Sequence, residues 1–271
     1  MGRKLGVIAG SGEMVSFLLG KFHQEGNRVY LAAIKDNAPE EIISLADEAR
    51  WFSLTDFYNI LAFFKDQGVA EVFMVGKIDP AQLFRTDKSN FLLKKMLALL
   101  PDRHPKTLIN LVFSFFENQG IKIGEVDPYL EELFLPPGVL TRRKPTTQEE
   151  EDARFALPLA RKMADLEIGQ TIVVKNKAVV AVEAMEGTDE AVLRAGDLVG
   201  SGTVVVKVGR THQDNRIDLP VVGLSTIKSM IDSAATALFL ESGKVAFIQA
   251  NKAIELADSQ GIAIKVVSFL T

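Results

Sequence analysis

The 271-residue sequence contains no cysteine, and that one absence removes disulfides, thiolate nucleophiles and Cys-ligated zinc. Histidine is scarce: His23, His104 and His212 lie far apart with no His-x₂₋₄-His spacing, which argues against a zinc site built on imidazoles. Positive charge is not in surplus. Lys and Arg number 31 against 35 Asp and Glu, a formal net charge of −4, whereas gripping nucleic acid through its phosphates needs the opposite balance. No apolar run reaches the roughly 18–20 residues that span a bilayer. The stretch between Arg3-Lys4 and Gly10 is too short for a signal-peptide core. No G-x-S-x-G occurs, so the nucleophile turn of an acyl hydrolase is missing. Internal repeats and low-complexity segments are absent too. With 47% apolar and 24% charged residues, the chain is expected to be a soluble, cytoplasmic globular protein.

The length corresponds to about two domains, and the sequence divides near 136–146. Leu135-Pro136-Pro137-Gly138 is a strong turn, and Thr141-Arg142-Arg143-Lys144-Pro145 cannot begin a helix before its proline. Thr147-Gln148-Glu149-Glu150 then reads as a capping box opening a helix to about 166, with Thr147 as the cap. Composition shifts at the same line: thirteen of the seventeen Phe precede residue 140. Residues 1–145 balance at 18 basic against 18 acidic, and residues 146–271 hold 13 against 17, so the whole excess of acid lies in the second half. The expected fold class is α/β: two α/β domains joined by a linker. Residues 1–135 form an N-terminal Rossmann-like domain with a mostly parallel sheet and Phe-rich helices. Residues 136–146 are the linker, and 147–271 form a mixed α/β domain carrying the acidic motifs.

In the first half, strands are expected over 4–9, 28–34 and 70–75, alternating with helices over 13–24 and 56–67, as right-handed crossovers and a parallel sheet require. Two further helices, over 89–100 and 106–118, carry apolar arcs wider than the stripe of an ordinary surface helix. Helix-on-helix packing accounts for them. The functional alternative is a cleft for acyl chains, or a face on a membrane surface with Lys94 and Lys95 at headgroup level. In the second half, runs over 171–174 and 178–182 flank Lys175-Asn176-Lys177 as a hairpin. Apolar runs follow over 204–208 and 219–223, then a helix over 225–240, and the end alternates strand, helix (251–260) and strand (263–267).

Four segments carry candidate chemistry. Gly10-Ser11-Gly12 follows the first strand and opens a helix, where backbone amides and the helix dipole favour an anion. Its third fingerprint position is Val15, so it is an incomplete dinucleotide motif, with Asp36 a weak candidate for the ribose-binding acid. Gly76-Lys77 follows the third strand, where ligands of open α/β sheets bind. Glu183-Ala184-Met185-Glu186-Gly187-Thr188-Asp189 gathers three carboxylates and a hydroxyl at a strand end, a set suited to Mg²⁺ with substrate phosphates. The structural alternative is that Thr188 and Asp189 simply cap the next helix. Lys207, Arg210, His212, Arg216 and Asp218 form a polar stretch between two apolar runs. Asp218, at the entrance to a buried strand, needs a partner such as Arg216 or a metal, and Lys207 is placed to neutralise developing phosphate charge.

These residues carry a resemblance. Leu5-Gly6-Val7-Ile8-Ala9-Gly10-Ser11-Gly12, Gly76-Lys77, Val182-Glu183-Ala184-Met185-Glu186-Gly187-Thr188-Asp189, and Arg216-Ile217-Asp218-Leu219-Pro220 with Gly223 resemble the LpxI-type UDP-2,3-diacylglucosamine pyrophosphatases of lipid A biosynthesis. The likeness runs in order from residue 4 to about 267. It implies two α/β domains with the substrate bound between them. The implied reaction is Mg²⁺-dependent hydrolysis of UDP-2,3-diacylglucosamine to UMP and 2,3-diacylglucosamine 1-phosphate. The family's essential Asp falls on Asp218, and its Thr-Asp pair on Thr188 and Asp189. Asp218, Asp189 and Lys207 are then the expected catalytic residues, with Asp218, Asp189 and Glu186 holding the metal. Gly10, Ser11, Gly12, Gly76, Lys77, Thr188 and Arg216 are the expected substrate contacts. A homodimer and contact with the inner-membrane surface complete the expectation. Two other classes stay open on the residues alone: a nucleotide- or dinucleotide-binding oxidoreductase using the glycine loop, and a non-catalytic lipid-binding protein using the Phe-rich half.

Overall fold

The computed structural model describes residues 2–78 and 105–268 and divides into two units, Met1–Tyr129 and Leu130–Thr271. The helix expected over 89–100, together with Asp79, Pro80 and His104, lies outside the described residues.

In the first unit, β1 (Lys4–Ala9), β2 (Arg28–Ile34), β3 (Glu48–Phe52), β4 (Glu71–Val75) and β5 (Lys122–Ile123) form one sheet in the order β3-β2-β1-β4-β5. Every pairing in it is parallel. Among the described residues its α-helices are α1 (Glu13–Gln24), α2 (Phe57–Asp66) and α3 (Pro105–Glu117). Both faces of the sheet are covered, which is why β1 and β2 read as continuous apolar runs rather than alternating ones. On one face Gly6 leaves room for Phe64 of α2, whose ring meets Phe116 of α3. On the other, Phe22 of α1 stacks on Phe73 of β4. Core packing therefore accounts for the buried Phe113 and Phe116 of α3. Strand β3 was not expected: it is a short, half-exposed edge carrying Glu48 and Arg50, the charged pattern that edge strands use and that hides them in a sequence.

The second unit is built on a six-stranded mixed sheet, β6-β13-β11-β9-β7-β8. Its strands are β6 (Gly138–Val139), β7 (Thr171–Lys175), β8 (Ala178–Val182), β9 (Val204–Lys207), β11 (Ala237–Glu241) and β13 (Ala263–Val267). Strands β10 (Val221–Val222) and β12 (Ala246–Phe247) pair separately. The helices are α4 (Thr147–Asp165), α5 (Thr188–Val199), α6 (Leu224–Asp232) and α7 (Ala250–Ser259). Alternate residues of the sheet feed two cores. Ala153, Ala156 and Ala160 of α4 pack with Val204, Val206 and Phe239, and α5, α6 and α7 pack with Val205, Leu238 and Ile264. The expected hairpin forms, with Asn176 and Lys177 both at positive φ and both backbone amides held by the buried Asp152 carboxylate, at 2.9 and 2.7 Å.

Three local expectations need correcting. The helix predicted over 225–240 ends at Asp232. Ala234 turns left-handed at φ 53, and Ala237–Glu241 becomes a fully buried central strand, whose continuous apolar run has no period of its own. The capping box uses Thr146 with Glu149, one residue earlier than expected, because Arg143 holds the Glu149 carboxylate at 2.9 and 3.0 Å and fixes that register. Finally, the stretch read as a linker is bonded into the second unit: β6 pairs with β13, and Thr141 Oγ1 accepts the Ile264 amide at 2.9 Å.

Candidate active site

In the first unit, the loops after β1 and β4 lie where the strand order reverses, the usual ligand position of a parallel sheet. Here the two loops bond to each other. Ser11 and Lys77 exchange both backbone hydrogen bonds at 2.8 Å, and the Gly10 amide donates to Val75 at 2.9 Å. A Cβ on Gly10 would come within 2.3 Å of the Lys77 carbonyl, and one on Gly76 within 2.6 Å of the Ser11 carbonyl. These glycines thus serve loop-to-loop contact. The Gly10 and Ser11 amides that would cradle a phosphate are already used, which leaves Gly12, at φ 107 and facing open space, to begin α1 without a side-chain cap. The exposed Lys77 side chain projects from this zipped pair.

In the second unit, antiparallel pairing of β7 with both neighbours brings the start of β7 to the carboxyl ends of β8 and β9. Thr171 stands opposite Lys207 in register. The Lys207 side chain is only 5% exposed. Its Nζ donates to Thr188 Oγ1 at 2.6 Å and Thr171 Oγ1 at 3.1 Å, with Glu183 Oε2 at 3.6 Å. Thr188 Oγ1 in turn donates to Glu183 Oε1 at 2.9 Å. Burial pushes the Glu183 pKa up, but the Lys207 charge, the Thr171 and Thr188 hydroxyls and the Gln170 amide outweigh it and hold the carboxyl below its ordinary range. A buried ammonium and a buried carboxylate thus neutralise one another across a threonine hydroxyl. The N-cap of α5 is Gly187 at φ 89, so Thr188 does not cap the helix as the structural alternative held: its hydroxyl belongs to this network.

Asp218 joins the network through a residue the sequence reading did not single out. Gln170 donates its backbone amide to Glu183 Oε2 at 3.2 Å and its side-chain Nε2 to Asp218 Oδ2 at 2.6 Å. Arg210 donates to the same Oδ2 at 3.0 Å. The partner of Asp218 is therefore Arg210, while Arg216 is turned onto Asp214 at 3.0 and 2.8 Å. An Asp218–Arg216 pair does not form: the Arg216 guanidinium lies on Asp214, and Gln170 and Arg210 take the Asp218 carboxylate. The available signal for Gln170 was a pair of polar residues, Gln170-Thr171, at the head of an otherwise apolar strand.

The expected metal set fares differently. Asp189 accepts the Thr226 hydroxyl of α6 at 3.0 Å, and Glu186 is engaged by Arg194 at 2.6 Å and by the Ala184 amide at 3.2 Å. Among the described residues no three His, Asp or Glu side chains come together to hold one ion. Asp218 does not join the other two as a three-carboxylate site, because each acid is held by a different donor. Both donors to Asp218 end on Oδ2, so this half-exposed carboxylate keeps Oδ1 for a substrate, a water or a single cation.

An α/β chain of two units, with a polar centre at the strand ends of the second, is the class this geometry defines. The LpxI N-terminal domain model matches residues 4–133, and the LpxI C-terminal domain model matches residues 136–265. The chain belongs to the LpxI family. A curated relative, the UDP-2,3-diacylglucosamine pyrophosphatase LpxI of Caulobacter vibrioides, is 26% identical over 270 residues, 96% of each chain. Among solved structures, a phosphoribosylglycinamide synthetase from Anaerococcus prevotii is 14% identical at a TM-score of 0.25, covering 71% of this chain and 41% of its own. An N-terminal ketoreductase from the macrolactin assembly line is 8% identical at a TM-score of 0.26, covering 99% and 54%. Among the described residues, no helix is long and apolar enough to cross a membrane.

Proposed function

We propose that this chain hydrolyses the pyrophosphate bond of UDP-2,3-diacylglucosamine in the cytoplasm, releasing UMP and 2,3-diacylglucosamine 1-phosphate for lipid A biosynthesis, in a Mg²⁺-dependent reaction. The observation that supports this reading best is the coupling of Asp218 to the buried Glu183–Thr188–Lys207 network through Gln170, in a chain whose two halves both match LpxI domains.

Asp218 Oδ1 accepts from the attacking water and orients it. Lys207 and Glu183 hold the Thr188 hydroxyl at the uncapped start of α5, whose first backbone amides, that of Thr188 among them, meet phosphoryl oxygens. Asp189 steadies this helix start through Thr226, and Glu186 holds the preceding turn through Arg194. Mg²⁺ suits a site with one carboxylate and a pyrophosphate, since it keeps waters as its other ligands. Asp218 would hold it, and its charge would offset that developing on the phosphoryl oxygens. In the first unit Gly12 and Lys77 are the anion contacts, with Gly10, Ser11 and Gly76 shaping the loops that carry them. Homodimerisation and contact with the inner-membrane surface belong to the same proposal.

The test incubates purified protein with UDP-2,3-diacylglucosamine, in Mg²⁺ or in EDTA, and measures UMP. Mg²⁺-dependent UMP that falls by on the order of 10²–10⁴ in Asp218→Ala is the expected result. Folded protein that yields no UMP from verified substrate overturns the reading.

A further inference from the structure

Asp218 lies on the irregular segment between β9 and β10, and its side chain is 44% exposed. A carboxylate so placed keeps its rotamer freedom unless neighbours remove it. Two neighbours do. Gln170, only 5% exposed, is pinned by its own main chain: its amide donates to Glu183 and its carbonyl accepts from the Val208 amide at 3.0 Å. Arg210 follows Gly209, whose amide is held at 3.0 Å by Glu241, itself buried against Arg161. Both side chains converge on the same oxygen of Asp218.

We infer that Gln170 and Arg210 are positioning residues for Asp218: they lock one carboxylate oxygen, aim the other at the substrate, and couple it to the Glu183–Lys207 network. This inference rests on the pyrophosphatase reading above. Two features separate it from a merely structural role. First, the segment has braces of its own. Asp165 accepts both the amide and the hydroxyl of Thr211, at 2.7 and 2.8 Å. Gln213 bridges the Arg210 amide and the Asp218 carbonyl, and Asp214 holds Arg216. The loop keeps its path without the bonds to the Asp218 carboxylate. Second, the orientation of the Gln170 amide is set by Asp218, and among the described residues no group bonds its Oε1. Turning the Gln170 amide over would set its carbonyl against the Asp218 carboxylate, so Nε2 is fixed towards Asp218 and Oε1 is left without a donor.

The experiment compares kcat and KM on UDP-2,3-diacylglucosamine for wild type, Gln170→Leu, Arg210→Met and Asp218→Ala, and for each of the first two combined with Asp218→Ala. Gln170→Leu and Arg210→Met should each lower kcat by up to about 10²-fold, as a misaimed catalytic group does, with KM and melting temperature little changed. On the Asp218→Ala background the same substitutions should lower the residual turnover by less than about twofold, since residues acting as one unit are not additive. Losses that add in full to that of Asp218→Ala, or a raised KM with unchanged kcat, overturn the inference. If Gln170→Leu melts early, Arg210→Lys, which keeps the charge and loses the planar fork, carries the same comparison. If the wild type yields no UMP, the reading has failed on its own. A crystal structure of the Gln170→Leu variant then decides the clamp: a reoriented Asp218 carboxylate supports it, and an unmoved one overturns it.

Discussion

Two lysines follow strand ends in this molecule, and they live in different chemistries. Lys77, after β4 in the first unit, has its backbone bonded to Ser11 and its side chain exposed. Lys207, closing β9 in the second, is buried among two threonine hydroxyls and a carboxylate. The helices beside them start alike: Gly12 and Gly187 both take positive φ, and neither α1 nor α5 has a side-chain cap. What differs is which part of the chain holds the site. In the first unit the main chain zips two loops together, and glycine is needed because backbones touch. In the second, side chains from β7, the β8–α5 turn, β9 and the loop before β10 hold one another. A strand end, a glycine and a helix start are therefore not themselves a site; the polar side chains converging on them decide.

The lysines give the largest test of that contrast. Lys207→Met leaves Glu183 buried without its cation, and breaking a buried pair in this way costs about 3–5 kcal/mol. Urea unfolding should show that loss, and Lys207→Met with Glu183→Gln should recover much of it, because the stranded charge is then gone. Lys77→Met, at an exposed side chain, should cost no more than about 0.5 kcal/mol. Equal losses at the two lysines would break the contrast. Gly10→Ala comes next. Its Cβ would stand 2.3 Å from the Lys77 carbonyl, so the zipped loops must part, at about 1–3 kcal/mol. If Gly10→Ala melts like wild type, close approach is not what Gly10 supplies.

Much of this architecture was legible in the sequence, and the failures have physical causes. The strands β1, β2 and β4 announce themselves as apolar runs stopped by turn residues, and the 183–189 and 216–220 segments as polar clusters at strand ends. Strand β11 was unreadable because a strand buried on both faces has no alternation, and Ala234, the residue that breaks the helix, looks like a helix former. The acids at 183–189 suggested shared ligands, but sequence proximity does not say where a carboxylate points: Glu183 turns in to Lys207, Glu186 to Arg194 and Asp189 to Thr226. Gln170 stayed hidden because its role depends on a pairing across 48 residues.

The smallest expected effect sharpens the comparison through pH. At the start of α4, Thr146 Oγ1 accepts the Glu149 amide at 3.2 Å, and the Glu149 carboxylate accepts the Thr146 amide at 2.7 Å along with Arg143. Burial raises the Glu149 pKa, but the bonds from Arg143, Thr236 and the Thr146 amide prevail, and the carboxyl titrates below its ordinary 4.5. A carboxyl lowered by folding adds stability above its unfolded pKa and loses it as pH falls through the folded one. Glu149→Gln should therefore destabilise the protein at pH 7, and its difference from wild type should shrink as pH drops below about 4.5. Thr146→Ala removes only the hydroxyl acceptor, at about 1 kcal/mol. That bond involves no titrating group, so its loss should be the same at pH 7 and pH 5. Urea unfolding at pH 7, 5, 4 and 3 separates the two. The Ser11–Lys77 zipper consists of amides, carbonyls and the Ser11 hydroxyl, none of which titrates in this range, so the cost of Gly10→Ala should also stay flat across it. A Gly10→Ala cost that tracked pH as Glu149→Gln does would erase the distinction between a loop pair held by main chain and a helix start held by charge.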